Sequence, residues 1–179
     1  MAKASSNYTR RGERGTMVSS LSWFAVILAG LLLVAGGWSY FAGGTGQWRE
    51  DLVGHRIPVL TSRDWQGTQV EVTHPALLYF FTDDCRFCDP ARQELNEYAA
   101  SLLDHPGVPV YAIAKPDFPD GLPAPRFHEG IRAVRLLSGG ASLQFVRQVP
   151  IYVRTATDGS ILRAYVGVAH AGELRELHR

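Results

Sequence analysis

Residues 77–88 read LLYFFTDDCRFC, an apolar run that passes directly into a close pair of cysteines. The run extends over residues 76–82 and is bounded by turn-forming residues, which is typical of a strand buried on both faces of a sheet. We therefore expect the central strand of the fold here. Residues 89–103 are rich in Ala, Glu, Gln and Leu and predict a helix immediately after the cysteines.

Further segments complete an α/β pattern around this strand. Residues 108–115 predict a second strand, parallel to the first because the intervening helix would make a crossover. Hairpins are expected before and after this unit, since turn residues separate short apolar segments there. The remaining predictions are strands at residues 56–60 and 68–72 around the turn Trp65-Gln66-Gly67, strands at residues 151–155 and 161–168 around a turn at 157–160, a proline-rich loop at 116–125, weak helical spacing at 127–137, a helical turn at 142–146 and a terminal helix at 172–178.

The composition fits one globular domain with an additional segment. Of the 179 residues, 46% are hydrophobic and 20% are charged, which is sufficient for a sizeable core. The formal net charge of +1 provides no strong field of a single sign. Because nucleic acids attract proteins mainly through such a field, we expect no nucleic-acid partner.

The additional segment is N-terminal, where residues 18–47 lack charged side chains. Residues 21–42 are long enough for one transmembrane helix, which needs about 20 apolar residues. Basic residues outnumber acidic ones before this span, whereas two acidic residues follow Arg49 after it. Positively charged flanks stay in the cytoplasm. The resulting prediction is a cytoplasmic tail at residues 1–20, a single span of the lipid bilayer at 21–42, a linker at 43–55 and an exported domain at 56–179.

A cleaved signal peptide is the alternative interpretation of this segment. Such a peptide has a shorter apolar run and small residues at its cleavage site. Bulky aromatic residues, Trp38 and Tyr40 among them, occupy those positions here. We therefore favour the membrane helix.

The cysteines carry the chemistry that the sequence predicts. The chain has two, so any disulfide within it joins Cys85 to Cys88. A dithiol catalyst needs one exposed thiolate for attack and a second thiol nearby to break the resulting mixed disulfide. At the start of a helix, Cys85 would be the nucleophile and Cys88 the more buried, resolving thiol.

Other roles for the pair are weaker. A zinc site would need a second close pair of ligands, which the sequence does not contain. Attachment of c-type haem needs a histidine directly after Cys88, where Asp89 stands instead. Two inert, buried cysteines are the remaining alternative, although neighbouring charged residues favour partial exposure. We expect neither a metal nor another cofactor.

Several segments together resemble the thioredoxin superfamily, especially TlpA-like proteins tethered to the bacterial membrane. They are LLYFFTDDCRFC, VPIYV at residues 149–153, DGSILRAYVG at residues 158–167 and the terminal helix. The resemblance covers about residues 56–178. It implies a thioredoxin-like α/β fold, with a central mixed sheet flanked by helices, and a thiol-disulfide oxidoreductase whose domain lies in the periplasm, on the outer side of the bacterial cytoplasmic membrane.

The resemblance also implies further site residues. Pro150 would follow a cis peptide bond opposite the cysteines, and the backbone of Val149 would pair with an extended substrate chain. The alternative is a trans proline that begins an edge strand. Between the cysteines, Arg86 and Phe87 are additional candidates for contact with the substrate.

Some residues depart from the family pattern. Asp84 replaces the tryptophan that precedes the first cysteine, and Tyr79 or Phe80 stands where the family has a buried acid. Asp89-Pro90 is a typical start of a helix and predicts that the helix begins only at Pro90, which would make the Cys85 thiolate weaker. The segment between Lys115 and Arg147 is longer than in a minimal thioredoxin, which predicts an insertion that determines specificity.

The predicted function is disulfide exchange with the thiols and disulfides of exported proteins. The resemblance slightly favours a reductase over an oxidase or isomerase. A reductase or an oxidase in this position needs a redox partner in the membrane. The alternative from another class is a noncatalytic, membrane-anchored scaffold of an exported assembly.

Overall fold

The computed structural model describes residues 25–32, 46–101, 107–137, 143 and 146–179. The chain divides into two compact units, Met1–Gly43 and Gly44–Arg179. In the first unit, residues 25–32 form helix α1 with exposed side chains. The predicted tail at residues 1–20 and most of the predicted span at 21–42 lie outside the described residues. Within the described ranges, no helix has the length and apolar character that crossing a membrane requires.

The described residues of the second unit form one mixed sheet of eight strands in the order β1-β8-β7-β4-β5-β6-β2-β3. Among the described residues of this unit, two α-helices accompany the sheet, α2 (Cys88–Ala100) and α3 (Ala171–His178), and Glu50–Leu52 form one turn of 3-10 helix. The strands are β1 (Gln47–Trp48), β2 (Leu60–Arg63), β3 (Gln69–Val72), β4 (Leu77–Phe81), β5 (Val110–Ala114), β6 (Ile131–Leu136), β7 (Ile151–Thr155) and β8 (Ile161–Val166).

Strand β4 occupies the interior of the sheet, as the sequence predicted. It pairs in parallel with β5 and antiparallel with β7, and all five of its residues are buried. A strand covered on both faces needs a continuous apolar run, which explains its composition. The parallel β4-α2-β5 unit confirms the predicted crossover.

Alternate side chains of β4 enter two separate parts of the core. Leu77, Tyr79 and Phe81 pack among residues of α2 and α3. Leu78 and Phe80 face the other side, where they meet apolar residues from the N-terminal part of the domain, including Leu52. Each fully buried side chain of this size adds about 1.5–3 kcal/mol to the free energy of unfolding relative to an exposed one. Helices α2 and α3 thus cover one face of the sheet, and the chain before β2, which includes the 3-10 turn Glu50–Leu52, covers part of the other.

The folded domain begins earlier than the sequence predicted. Trp48 pairs with Tyr165 in the sheet, and the side chain of Leu52 is 3% exposed in the core. Residues 47–55 are therefore part of the domain and not of a linker. The first hairpin is also displaced, because β2 begins at Leu60, while Arg56 forms only an isolated bridge with Ser160.

The weak helical spacing at residues 127–137 was misleading, because the structure has strand β6 there. Ile131, Val134 and Leu136 are buried, whereas Arg132 is exposed. Pairing with β5 over the whole length of that strand supplies the backbone hydrogen bonds that a helix would otherwise provide. The predicted end of α2 after residue 101 and most of the predicted turn at 142–146 lie outside the described residues.

Candidate dithiol site

The cysteines lie between the end of β4 and the start of α2. The hydroxyl of Thr82 donates to the Asp84 carboxylate at 2.7 Å, which holds the chain as it leaves the strand. The N–H of Cys88 donates to the carbonyl of Cys85 at 2.9 Å. This turn brings the Cα atoms of the cysteines to 5.3 Å, and their sulfurs form a disulfide. The pair can therefore cycle between a disulfide and a dithiol.

The two sulfurs differ in accessibility. Cys85 is half-buried at the edge of the core, whereas Cys88 is 6% exposed and lies among core residues. A substrate thiol or disulfide therefore reaches Cys85 more easily than Cys88. Cys88 is thus the more buried of the two cysteines, and the roles of nucleophile for Cys85 and resolving thiol for Cys88 stay predictions.

Helix α2 begins at Cys88, and Phe87 is its N-cap residue. The prediction that Asp89 caps a helix starting at Pro90 was wrong. Burial of Cys88 places the first helical turn against the core, and Asp89 lies within that turn, where its carboxylate accepts from Arg92 at 2.6 Å. Because the helix starts closer to Cys85, the premise for a weakened thiolate does not hold.

Val149 and Pro150 lie at the same end of the central strands as the cysteines, where β4 ends. Phe80 pairs with Ile151, so continuation of this antiparallel register brings Pro150 level with Phe81, the last residue of β4. The Val149–Pro150 peptide bond is cis, as is His74–Pro75. Val149 is half-buried and, like Cys85, packs against the core beneath the sheet edge.

The residues between the cysteines present a mixed surface. Arg86 is exposed and its guanidinium carbon lies 4.5 Å from the centroid of the Phe87 ring, while Phe87 is half-buried. Asp83 and Asp84 are also exposed beside them. A chain approaching Cys85 would therefore meet charges of both signs and one aromatic ring.

Two buried tyrosines lie beneath the first turns of α2, and sequence reasoning identified neither as a site residue. Of the two candidates for the position of the family's buried acid, Tyr79 faces α2, and its hydroxyl donates to the Cys88 carbonyl at 2.9 Å. The hydroxyl of Tyr152 donates to the Ala91 carbonyl at 3.0 Å. Burial raises the pKa of Tyr79, so its hydroxyl remains protonated. Alternation along 149–153 could have placed Tyr152 on the helix side, opposite Ile151 and Val153.

The chain between β5 and β6 packs against the end of β4 and against α2. The rings of Phe118 and Phe127 contact the ring of Phe81 at centroid distances of 5.7 and 5.6 Å. The carbonyl of Arg126 accepts from the side chains of Arg92 and Asn96, both at 3.2 Å. A groove of about 640 Å³ borders this contact and is lined by Asp89, Pro90, Arg92, Gln93, Asn96, Glu97 and Arg126. The predicted insertion is thus attached to the helix that carries Cys88.

Within the described part of the chain, no group of three or more His, Cys, Asp or Glu residues could hold a metal ion.

Comparison with known proteins identifies the fold. No protein-family model and no curated protein sequence matches this chain. Solved structures do match: StoA from Bacillus subtilis at 12% identity, covering 68% of this chain and 97% of that one, with a TM-score of 0.53. The exposed lipoprotein thioredoxin Etrx1 from Streptococcus pneumoniae matches at 15% identity, covering 67% and 98%, with a TM-score of 0.52. A putative thiol:disulfide interchange protein DsbE from Chlorobium tepidum matches at 20% identity, covering 70% and 94%, with a TM-score of 0.53. The chain therefore has the thioredoxin-like fold that its sequence resembled.

Proposed function

We propose that this protein is a membrane-anchored thiol-disulfide oxidoreductase that acts on exported proteins through Cys85 and Cys88. The observation that carries the proposal is the disulfide itself, which joins a half-buried sulfur to a buried one at the start of α2. The structural neighbours StoA and the putative DsbE support it through their shared fold.

In the reductase direction, the Cys85 thiolate attacks one sulfur of a substrate disulfide. A bond forms between Cys85 and that sulfur, and the other substrate sulfur leaves as a thiolate that takes up a proton. Cys88 then loses its proton and attacks the Cys85 sulfur, which releases the second substrate thiolate. Two electrons have passed to the substrate, and the protein holds the Cys85–Cys88 disulfide.

Substrate chains would bind beside the dithiol. The backbone of Val149 would pair with an extended segment of the substrate, as in the addition of a strand to a sheet edge. Arg86 and Phe87 would contact the substrate on the other side of Cys85. A membrane redox partner would return the disulfide to the dithiol state.

The proposed anchor is the apolar segment at residues 21–42, with the N-terminus in the cytoplasm and the domain in the periplasm. The point at which the chain enters the domain supports a role for this anchor. Gln47 pairs with Val166, and Val166 pairs with Ile151. Strand β1 therefore begins at the end of the sheet where the dithiol lies. A bilayer tether on the preceding residues would therefore join the domain at the end of the sheet that carries the dithiol.

A trapping experiment in cells with the full chain tests the catalytic role. In Cys88→Ser, mixed disulfides through Cys85 cannot be resolved, so substrates should accumulate in complexes that dissociate on reduction. Cys85→Ser is the matched control and should trap few. A noncatalytic scaffold would trap none in either variant and would keep its function in both, which would refute the proposal.

Two further measurements test the direction and the anchor. A reductase should have a potential near or below about −230 mV, whereas a potential near about −120 mV would indicate an oxidase. On alkaline carbonate extraction, the full chain should stay in the membrane pellet and residues 46–179 should be released. Release of the intact full chain would refute the anchor.

A further inference from the structure

Tyr79 connects β4 to the backbone of the resolving cysteine. Its side chain is fully buried, and its hydroxyl donates to the Cys88 carbonyl at 2.9 Å. In an α-helix, the carbonyl of the first residue already accepts the N–H of the residue four positions later. A carbonyl has two lone pairs, so Tyr79 occupies the second. The position of Cys88 is thus tied to the central strand as well as to its own helix.

The other backbone polar group of Cys88 is tied to the nucleophile. Its N–H donates to the Cys85 carbonyl at 2.9 Å, and this bond closes the turn that contains both cysteines. Cys88 is therefore held from both sides, by Cys85 at its N–H and by Tyr79 at its carbonyl. Such fixation raises the effective concentration of one sulfur at the other, which governs how readily a dithiol closes to a disulfide.

Tyr152 provides a natural comparison. It is as fully buried as Tyr79, their ring centroids lie 5.0 Å apart, and its hydroxyl donates to α2 in the same manner. Its acceptor, however, is the Ala91 carbonyl at 3.0 Å, which belongs to neither cysteine. The two hydroxyls should contribute similarly to folding but differently to the dithiol.

We infer that Tyr79 is a positioning residue for the dithiol: its hydroxyl holds the Cys88 backbone where the Cys85–Cys88 disulfide requires it. The inference rests on the proposed function and adds a residue to the same site. Tyr79 exchanges no proton with the sulfurs, and it acts through the Cys88 carbonyl alone. The ring of Tyr79 also stacks on that of Phe81 at 5.6 Å, so substitution by phenylalanine can keep this packing while removing the hydroxyl.

The test compares Tyr79→Phe with Tyr152→Phe in the full chain, equilibrated with glutathione buffers. Oxidised glutathione accepts two electrons from the dithiol, which loses two protons and closes to the disulfide, and two molecules of reduced glutathione form. Alkylation of the remaining thiols, followed by mass spectrometry, measures the fractions of dithiol, disulfide and mixed disulfide with glutathione. Chemical unfolding of the same samples measures the stability of both variants.

In Tyr79→Phe, the equilibrium constant for the Cys85–Cys88 disulfide should fall roughly two- to tenfold, the range that one hydrogen bond supplies. The mixed disulfide of glutathione with Cys85 should rise correspondingly. Tyr152→Phe should lose a similar amount of stability but keep the wild-type constant. An unchanged constant in Tyr79→Phe, or an equal fall in both variants, would overturn the inference.

This outcome is separate from the fate of the proposed function. The glutathione equilibrium involves no protein substrate. The inference about Tyr79 can therefore be confirmed or refuted whether or not Cys88→Ser traps substrates. Failure of trapping alone would remove the proposed function and leave the role of Tyr79 in the disulfide measurable.

Discussion

The side-chain carbonyl of Asn96 accepts the backbone N–H of His128 at 2.8 Å, which joins α2 to the chain that leads into β6. The amide nitrogen of Asn96 donates to the Arg126 carbonyl at 3.2 Å. The side chain of Asn96 thus provides hydrogen-bond partners for two backbone groups in a segment that belongs to no strand or helix.

Replacement of Asn96 by alanine should lower the free energy of unfolding by about 1–2 kcal/mol, because the His128 N–H loses its acceptor in a partly buried place. Urea denaturation measures the effect. Gln93→Ala is the control on the same helix, since its amide donates to the side chain of the exposed Glu97 and not to the backbone of this segment in the described residues. Equal losses in the two variants would contradict the assignment.

Arg135 should stabilise the loop after β5. One of its terminal nitrogens donates to the carbonyls of Phe118 and Pro119 at 2.9 and 3.0 Å, and it pairs with Asp120 at 2.8 Å. Arg135→Ala should lower the free energy of unfolding by about 1–3 kcal/mol, because two carbonyls lose a charged donor. Proteolysis within residues 116–121 should become faster. The exposed Arg132 on the same strand offers a matched control, and Arg132→Ala should change neither quantity.

His178 should make the domain less stable in mild acid. Burial lowers the pKa of His178, and the positive charge of Arg154 lowers it further. The unfolded chain binds this proton near pH 6.5, whereas the folded domain binds it only at lower pH, so unfolding takes up a proton in between. The stability that neutral His178 contributes is therefore present above about pH 6.5 and is lost as the pH falls below it.

Unfolding free energies of wild type and His178→Gln at pH 8 and pH 5 test this point. The difference between the two pH values should be smaller in the variant, because glutamine does not titrate. An identical difference in both proteins would show that other groups cause the acid sensitivity.

Asp158 should titrate far below an ordinary carboxyl. Ser160 donates to one carboxylate oxygen from its hydroxyl at 2.6 Å and from its N–H at 3.0 Å, and Arg56 contacts the other oxygen at 3.0 Å. These contacts, above all the Ser160 hydroxyl bond, lower the pKa of Asp158 to about 2. The stabilisation of this turn is present above about pH 4 and is lost as the pH falls towards the folded value.

Carboxyl chemical shifts measured by NMR between pH 6 and pH 1.5 report this titration. In Ser160→Ala the pKa of Asp158 should move up towards about 3.9, the value of an isolated aspartate. A pKa that is the same with and without the Ser160 hydroxyl would contradict the proposed cause.

The sequence predicted those elements whose local pattern and long-range pairing agree. Strand β4 is one uninterrupted apolar run, and the Asp158-Gly159 turn between β7 and β8 has a distinct chemistry of its own. Strand β6 was mistaken for a helix because its alternation is interrupted and its partner β5 lies far away in sequence. At Asp89-Pro90, burial of Cys88 outweighed a local preference for capping at the next residue.

In the candidate site, too, the features with a local sequence pattern were predictable and those that depend on long-range contacts were not. The spacing of Cys85 and Cys88 is visible in the chain, as is the Val149-Pro150 pair. The contact between Asn96 and His128 is not, since it joins residues 32 positions apart through one side chain. The bond from Tyr79 to the Cys88 carbonyl was equally hidden, because pattern alone does not show which hydroxyl reaches a particular backbone group.

The two-residue strand β1 closes one lateral margin of the sheet. It covers the backbone of Tyr165 and Val166 at one margin of the sheet. A fragment that starts at Arg56 would uncover these groups and remove the side chain of Leu52 from the core. An uncovered strand margin pairs readily with another chain, whereas a very short one does so poorly. We therefore expect a fragment that lacks β1 to self-associate more readily than the domain that retains it.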